Sequence, residues 1–310
     1  MRRHLPVAVG LLLTATLAVT ACSSDSQAVD GASPGAGSQS TTATAGSVLP
    51  TVTGDFGEPP VLTFPSSGPP AELATQVLVE GDGRVVTAKD VVVAEYVGQV
   101  WGGAVFDSTY DTGTPIVTAL ADLVSGWAKG LAGQKVGSRV LLSVPPGDGY
   151  GTGGNKARGI APTDTIVFVV DLVDAFGADA AGQADAVPDD AARDTAGPQV
   201  SGPPGGPATL TLPAGTPTPA DVLTTVLYRG SGAPVAEGKV VGQSAGVDWT
   251  GTSIGSTWQT GTPKVFPVAP TDPTFAGLIG VPLGSRVLLQ VPAGSGPAVA
   301  LVIDLVAQPA

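Results

Sequence analysis

Between residues 96 and 168 the chain carries an ordered series of aromatic side chains with one acid among them. The series is Tyr96, the run Phe106-Asp107-Ser108-Thr109-Tyr110, Gly126-Trp127, Gly149-Tyr150-Gly151 and Phe168. What such residues can do is bounded by what is missing. His4 is the only histidine and Cys22 the only cysteine, and both lie in an N-terminal segment with the marks of a leader. Ser-His-Asp and Cys-His nucleophilic catalysis, His-ligated zinc and structural disulfides therefore drop out. Carboxylates, backbone groups and aromatic surfaces must carry any activity. The Gly-rich stretch 151–156 ends in Lys156 but lacks the G-K-[ST] ending of a phosphate loop. No run of carboxylates has calcium-loop spacing, so neither a metal nor a cofactor is expected.

With Val144-Pro145-Pro146 between Trp127 and Tyr150, this order of motifs across residues 91–173 resembles the FKBP family of peptidyl-prolyl cis/trans isomerases. Several separately spaced motifs make the resemblance more specific than any one short pattern. It implies an antiparallel sheet wrapped over a short helix, with an aromatic pocket for a proline ring. Trp127 matches the family's pocket floor, and Tyr96, Phe106 and Phe168 match its walls. Leu123 and Val124 match the aliphatic pair before the Trp, with the Val124 N–H as donor to a substrate carbonyl. Tyr150 matches the loop tyrosine that hydrogen-bonds the bound chain, Asp107 the acid facing the pocket, and Ile160 lies in the overhanging loop. Ile116 stands where the family usually has an aromatic residue, Asn155 and Gly159 replace larger loop residues, and Glu95 sits where a His is frequent. The rim is thus trimmed, which implies activity with an altered preference for the residue before proline, and macrolides of the rapamycin type as candidate ligands. Taken singly, Trp127, Phe106 and Phe168 also read as core aromatics, Asp107 as a turn cap and Tyr150 as a solvated loop residue. Their co-occurrence in family order favours a formed site.

The elements that must position these residues follow from β-branched runs bounded by Gly, Pro and Asp. Residues 73–80, 91–97, 139–144 and 166–172 read as strands, and 123–131 as the one good helix of this region. With 44 Gly, 29 Pro and 13% charged residues, a β-rich α+β class is favoured. The pattern then recurs. Val61-Leu62-Thr63-Phe64-Pro65 returns as Thr209-Leu210-Thr211-Leu212-Pro213, Gly113-Thr114-Pro115 as Gly261-Thr262-Pro263, and Gly137-Ser138-Arg139 as Gly284-Ser285-Arg286, at offsets of 148, 148 and 147. Such an offset marks a duplicated domain rather than a short repeat. Asp171-Leu172-Val173 returns as Asp304-Leu305-Val306 at 133, so 14 residues are missing from the second copy, between Gly294 and Val299. Ser244, Ile254, Gly255 and Leu301 replace Tyr96, Phe106, Asp107 and Phe168, Thr274-Phe275 stands near the Trp position, and the gap removes the counterpart of Tyr150. A folded but catalytically inactive second FKBP-like domain is expected.

The N-terminus reads as an export signal: Met1-Arg2-Arg3-His4, an apolar run at 7–19 too short to span a membrane comfortably, then small residues. Val19-Thr20-Ala21-Cys22 resembles the bacterial lipobox, in which cleavage precedes the Cys and its thiol takes a lipid. The expected organisation is a signal at 1–21, a flexible tether at 22–57, the isomerase domain at 58–176, a linker at 177–205 and the degenerate domain at 206–310. The tether and linker rest on composition too poor in large apolar residues to offset ordering entropy. The net charge is −12 and becomes −14 once Arg2 and Arg3 are lost, which argues against nucleic acid as a partner and leaves membrane attachment to the lipid anchor. The resulting expectation is a prolyl isomerase at the outer face of the bacterial cell membrane, acting on proline-containing segments of exported proteins. The alternative is a non-catalytic peptide-binding or chaperone lipoprotein on the same scaffold.

Overall fold

Strand β-branching sets the architecture of the computed structural model, which describes residues 48–189 and 197–309. The signal, Cys22 and the tether as far as residue 47 lie outside the described residues. The first lobe runs β1 (Thr51–Thr53), β2 (Val61–Thr63), β3 (Ala74–Val79), β4 (Val91–Val100), β5 (Val105–Ser108), β6 (Ile116–Ala119), α1 (Ser125–Leu131), β7 (Arg139–Val144) and β8 (Ile166–Phe176). After β9 (Val187–Pro188), the second lobe repeats the order of strands, with its helix one strand earlier, as β10 (Gln199–Ser201), β11 (Thr209–Thr211), β12 (Leu223–Arg229), β13 (Gly238–Asp248), β14 (Ser253–Ser256), α2 (Thr257–Thr260), β15 (Lys264–Val268), β16 (Arg286–Val291) and β17 (Val299–Ala307). The fold is α+β, with antiparallel sheets and few helices.

In the first lobe the sheet order is β3-β7-β8-β4-β5, and β6 shares the outer edge of β4 with β5. β6 pairs with Val91 to Ala94 and β5 with Val97 to Gln99, so the long strand β4 carries two short ones in succession. The sheet is covered on both faces, which is why its central strands read as continuous apolar runs. On one face, Val92, Ala94, Tyr96, Val140, Leu142, Val144, Ile166, Phe168, Val170 and Leu172 pack with Trp127 and Leu131 of α1. The alternate residues Leu141, Val167 and Val169 face the β1–β2 side with Leu49, Val52, Leu62 and Phe64.

The β1–β2 hairpin is pinned by a buried ion pair. Arg139 donates from Nε and Nη2 to the two carboxylate oxygens of Asp171 at 2.6 and 2.7 Å, and its remaining N–H groups reach Gly54 O and Glu58 O. Gly57 N and the Tyr110 hydroxyl donate to the same carboxylate. The second lobe repeats the device. Arg286 is paired with Asp304 and donates to Gly202 O and Gly206 O, and Trp258 covers its guanidinium where the first lobe has Tyr110. The end of the segment read as a tether is therefore part of the first lobe.

The second lobe's sheet runs β14-β13-β17-β16-β12-β9, with β15 on β13. Where α1 packs in the first lobe, the second has a single 3-10 turn, Ala276–Leu278, in a stretch too rich in Gly and Pro for a longer helix. Residues 177–205, read as a linker, carry local structure in their described parts. β9 pairs with β12, β10 with β11, Gln183 N donates to Gly284 O, and buried Gln243 Nε2 donates to Ala180 O at 3.0 Å. Backbone and amide hydrogen bonds fasten this segment, and composition, which registers only scarce apolar residues, is blind to them. The lobes also share a small core: Val91, Val93 and Val117 of the first pack with Val241 and Val265 of the second.

Candidate active site

Five different elements of the first lobe converge on one aromatic cluster. Tyr96 comes from β4, Phe106 and Asp107 from β5, Ile116 from β6, Trp127 from α1 and Phe168 from β8. Leu123 and Val124 precede α1 in extended conformation, with Val124 as its N-cap, so the helix starts two residues later than the sequence pattern implies. The Trp127 ring meets Tyr96 at 5.2 Å and Phe168 at 5.3 Å, both nearly perpendicular, and Phe106 meets Phe168 at 5.7 Å. Edge-to-face contacts of this kind fix ring orientation beyond what area burial achieves. Trp127 is 2% exposed, as suits a floor, whereas Phe106, Leu123, Val124, Ile116 and Tyr150 are only partly buried around it. Ile160, in the loop after β7, is buried in the same cluster.

Gly98 on β4 makes the close ring packing feasible. A Cβ there would stand 2.7 Å from Phe106 and 2.9 Å from Phe168, so any side chain would force the walls apart. The second lobe keeps Gly246 at the equivalent place, against Leu301 and Ile254.

One polar group sits in the wall. The Tyr96 hydroxyl donates to Asp107 Oδ2 at 2.5 Å, and Arg158 Nη1 forms an ion pair with the same oxygen. Asp107 is thus held by two donors and does not cap a turn. Burial is the main cause that pushes the Tyr96 phenol well above its ordinary range, followed by its bond to Asp107 and that acid's charge. Hydrogen bonding to Asp107 likewise raises the Arg158 guanidinium. The arrangement holds a fixed dipole against the aromatic cluster.

All ten pocket residues expected from the sequence thus meet in one cluster or bond to it; Cys22 lies outside the described residues. Arg158 was not legible beforehand. It stands alone in a Gly-rich loop, where no spacing distinguishes a guanidinium that crosses the site from one left in solvent. Its placement depends on local fastening: Asn155 and Ile160 exchange backbone hydrogen bonds, Asn155 Oδ1 accepts from Arg158 N, and Gly159 follows in left-handed conformation.

In the second lobe Ser244 N donates to Thr257 Oγ1 as Tyr96 N donates to Thr109 Oγ1, which establishes the correspondence of positions. None of Ser244, Ile254, Gly255 and Leu301 supplies an aromatic wall. A cleft of about 680 Å³ opens there, with Ile254 and Leu301 on one side and Ala119 and Asp122 of the first lobe on the other.

Comparison with known proteins bears on the same region. Residues 83–173 match the profile of a family described as FKBP-type peptidyl-prolyl cis-trans isomerase. The chain is 41% identical over 119 residues to an FK506-binding protein of Streptomyces anulatus, covering 96% of that protein and 37% of this chain. It is 38% identical over 124 residues to the FKBP-type peptidyl-prolyl cis-trans isomerase FkpA of Escherichia coli K12, covering 45% of that protein and 39% of this chain. The crystal structure of FkpA from Escherichia coli matches at 37% identity with a TM-score of 0.32, over 33% of this chain and 47% of that one. The chain spans less than half the length of FkpA.

Proposed function

Since the chain belongs to the FKBP-type peptidyl-prolyl cis-trans isomerase family, we propose that its first lobe is the catalytic one and that it turns over X–Pro bonds of exported proteins at the outer face of the cell membrane. The observation that carries this reading is the edge-packed cluster of Tyr96, Phe106, Trp127 and Phe168 with Asp107 held in its wall.

No nucleophile is needed for the reaction. The amide must lose its double-bond character while crossing a barrier of about 20 kcal/mol, and the twisted bond carries less delocalised charge than the planar one. A dry aromatic pocket favours the twisted state over the planar one. In this reading the proline ring sits on Trp127 between Phe106 and Phe168. The Val124 N–H and the Tyr150 hydroxyl hold the flanking chain, while Leu123, Ile116 and Ile160 exclude water. Asp107, fixed by Tyr96 and Arg158, presents a constant field to the carbonyl that rotates and transfers no proton.

The second lobe lacks the aromatic walls and is assigned no turnover. Its cleft against the first lobe favours a second reading, a peptide-holding or chaperone role on the same scaffold. The two separate in one experiment: the cis-to-trans rate of a short Xaa-Pro peptide with the purified chain, with and without rapamycin. Acceleration that falls at least tenfold in Phe106→Ala and Asp107→Ala supports the catalytic site, and loss of the rate with rapamycin adds the macrolide class to its ligands. A folded chain with no acceleration leaves the holding role.

Membrane attachment is assigned to a lipid on Cys22. A single acyl chain binds only marginally, so stable anchoring needs more than one. Fractionation of a Cys22→Ala variant is expected to move the protein from the membrane to the soluble exported fraction, and retention of that variant at the membrane would overturn the anchor.

A further inference from the structure

The loop that overhangs the pocket, residues 145–165 between β7 and β8, holds Lys156 and Arg158 at its tip, while its two acids near the ends are engaged, Asp148 by Lys129 and Asp164 by Ala161 N, in a chain with only 14 basic against 26 acidic residues. Arg158 is the member that reaches the site. Its Nη1 is engaged by Asp107, and its side chain remains 40% exposed. Guanidinium groups offer five donors in a fixed fork, and Asp107 uses one edge of this fork, leaving donors at the pocket mouth. The Asn155–Ile160 backbone pair and the buried Ile160 side chain hold the turn Lys156–Arg158 above the cluster. Lys156, also exposed, adds a second positive charge to the same turn. The body of the protein is otherwise acidic, so an acidic peptide meets attraction at this mouth and repulsion elsewhere.

We infer that Arg158, supported by Lys156, is a specificity-determining residue that selects prolines flanked by an acidic side chain. This deepens the reading of the first lobe as a prolyl isomerase and rests on it. The carboxylate of the peptide accepts from the donors of Arg158 that Asp107 leaves open, so Asp107 stays in place, and Lys156 supplies the second positive charge that balances the two carboxylates. Because the pair forms at a half-exposed rim, its effect is modest and screened by salt.

The test measures kcat/KM of the whole chain on a set of tetrapeptides that differ only beside the proline, with Glu, Leu or Lys before it and, in a second set, after it. At low salt the wild type is expected to favour Glu over Leu by roughly fivefold in at least one set, with Lys the poorest. Raising the salt to about 1 M, where screening acts within about 3 Å, should bring the three peptides together. Arg158→Gln should remove the preference for Glu, and Arg158→Glu should invert it toward Lys. Lys156→Gln should reduce it in part, and serves with the salt series if the Arg158 variants fail to fold. A wild type that turns over Leu-Pro well but treats Glu and Lys alike, or Arg158 variants that keep the wild-type order, would overturn the inference while leaving isomerisation intact. No turnover on any peptide would overturn the catalytic reading and the inference with it.

Discussion

Tyr96 shows how a side chain can be both wall and clamp. Its ring closes the cluster against Trp127 while its hydroxyl spends its one proton on Asp107. Burial first, and then the bond and charge of Asp107, keep that proton on above the ordinary tyrosine pKa of 10.0, and burial followed by Asp171 does the same for Tyr110. A raised folded-state pKa means that the stabilisation is complete below about pH 10 and is lost as pH climbs beyond it, because the unfolded chain releases the proton first. Tyrosinate absorbance across that range should therefore show late titration of the Tyr96 and Tyr110 phenols. Tyr96→Phe is expected to remove one of them, to soften the alkaline loss of stability, and to lower turnover because Asp107 then keeps only Arg158. A variant that retains both late phenols would show that Tyr96 is not held in this way.

At the scale of elements, the strands were legible wherever both faces of the sheet are covered. β7 and β8 alternate between the α1 side and the hairpin side, so apart from the Arg139–Asp171 pair and Ser143 every position of the runs at 139–144 and 166–172 is apolar, and the runs stand out. The helix was legible from the same region, two residues too long at its start, because Leu123 and Val124 pack into the cluster without joining the helical ladder. β1 and the turn after it were not legible. Residues 51–57 read as tether, yet Gly54, with Glu58 just beyond, is present for its carbonyl, and the two carbonyls satisfy a guanidinium buried beneath them. Backbone acceptors leave no trace in residue type. The available clue was repetition, since Arg139 and Asp171 recur as Arg286 and Asp304 together with the Val61 and Thr209 strands. Both arginines keep two partner carbonyls, Gly54 and Glu58 in one lobe, Gly202 and Gly206 in the other. The aromatic site was readable as a set because its members are large and ordered, whereas the overhanging loop, built from small residues and held by backbone bonds, concealed Arg158.

Across the whole molecule the two lobes are joined by apolar packing as well as by the chain between them. Val91 and Val93 lie on the face of β4 opposite Tyr96, and they are fully covered by Val117, Val241 and Val265. Lys89 Nζ donates to Thr260 O and Lys239 Nζ to Val117 O across the same contact. β6, which leads from Ile116 at the pocket to Val117 at this contact, is thereby braced by the second lobe. The second lobe can act in this way as a support for the sheet of the first. Docking of this kind couples the stability of the two halves, so the whole chain should unfold in one transition, with calorimetric and van't Hoff enthalpies in agreement. Val241→Asp would place a carboxylate among these valines with no donor to receive it, at a cost of several kcal/mol. The interface should open rather than bury the charge. The variant is expected to unfold in two separate transitions, the first at lower temperature than in the wild type, with turnover reduced because β6 loses its brace. A single unshifted transition in Val241→Asp would mean that this contact does not couple the lobes.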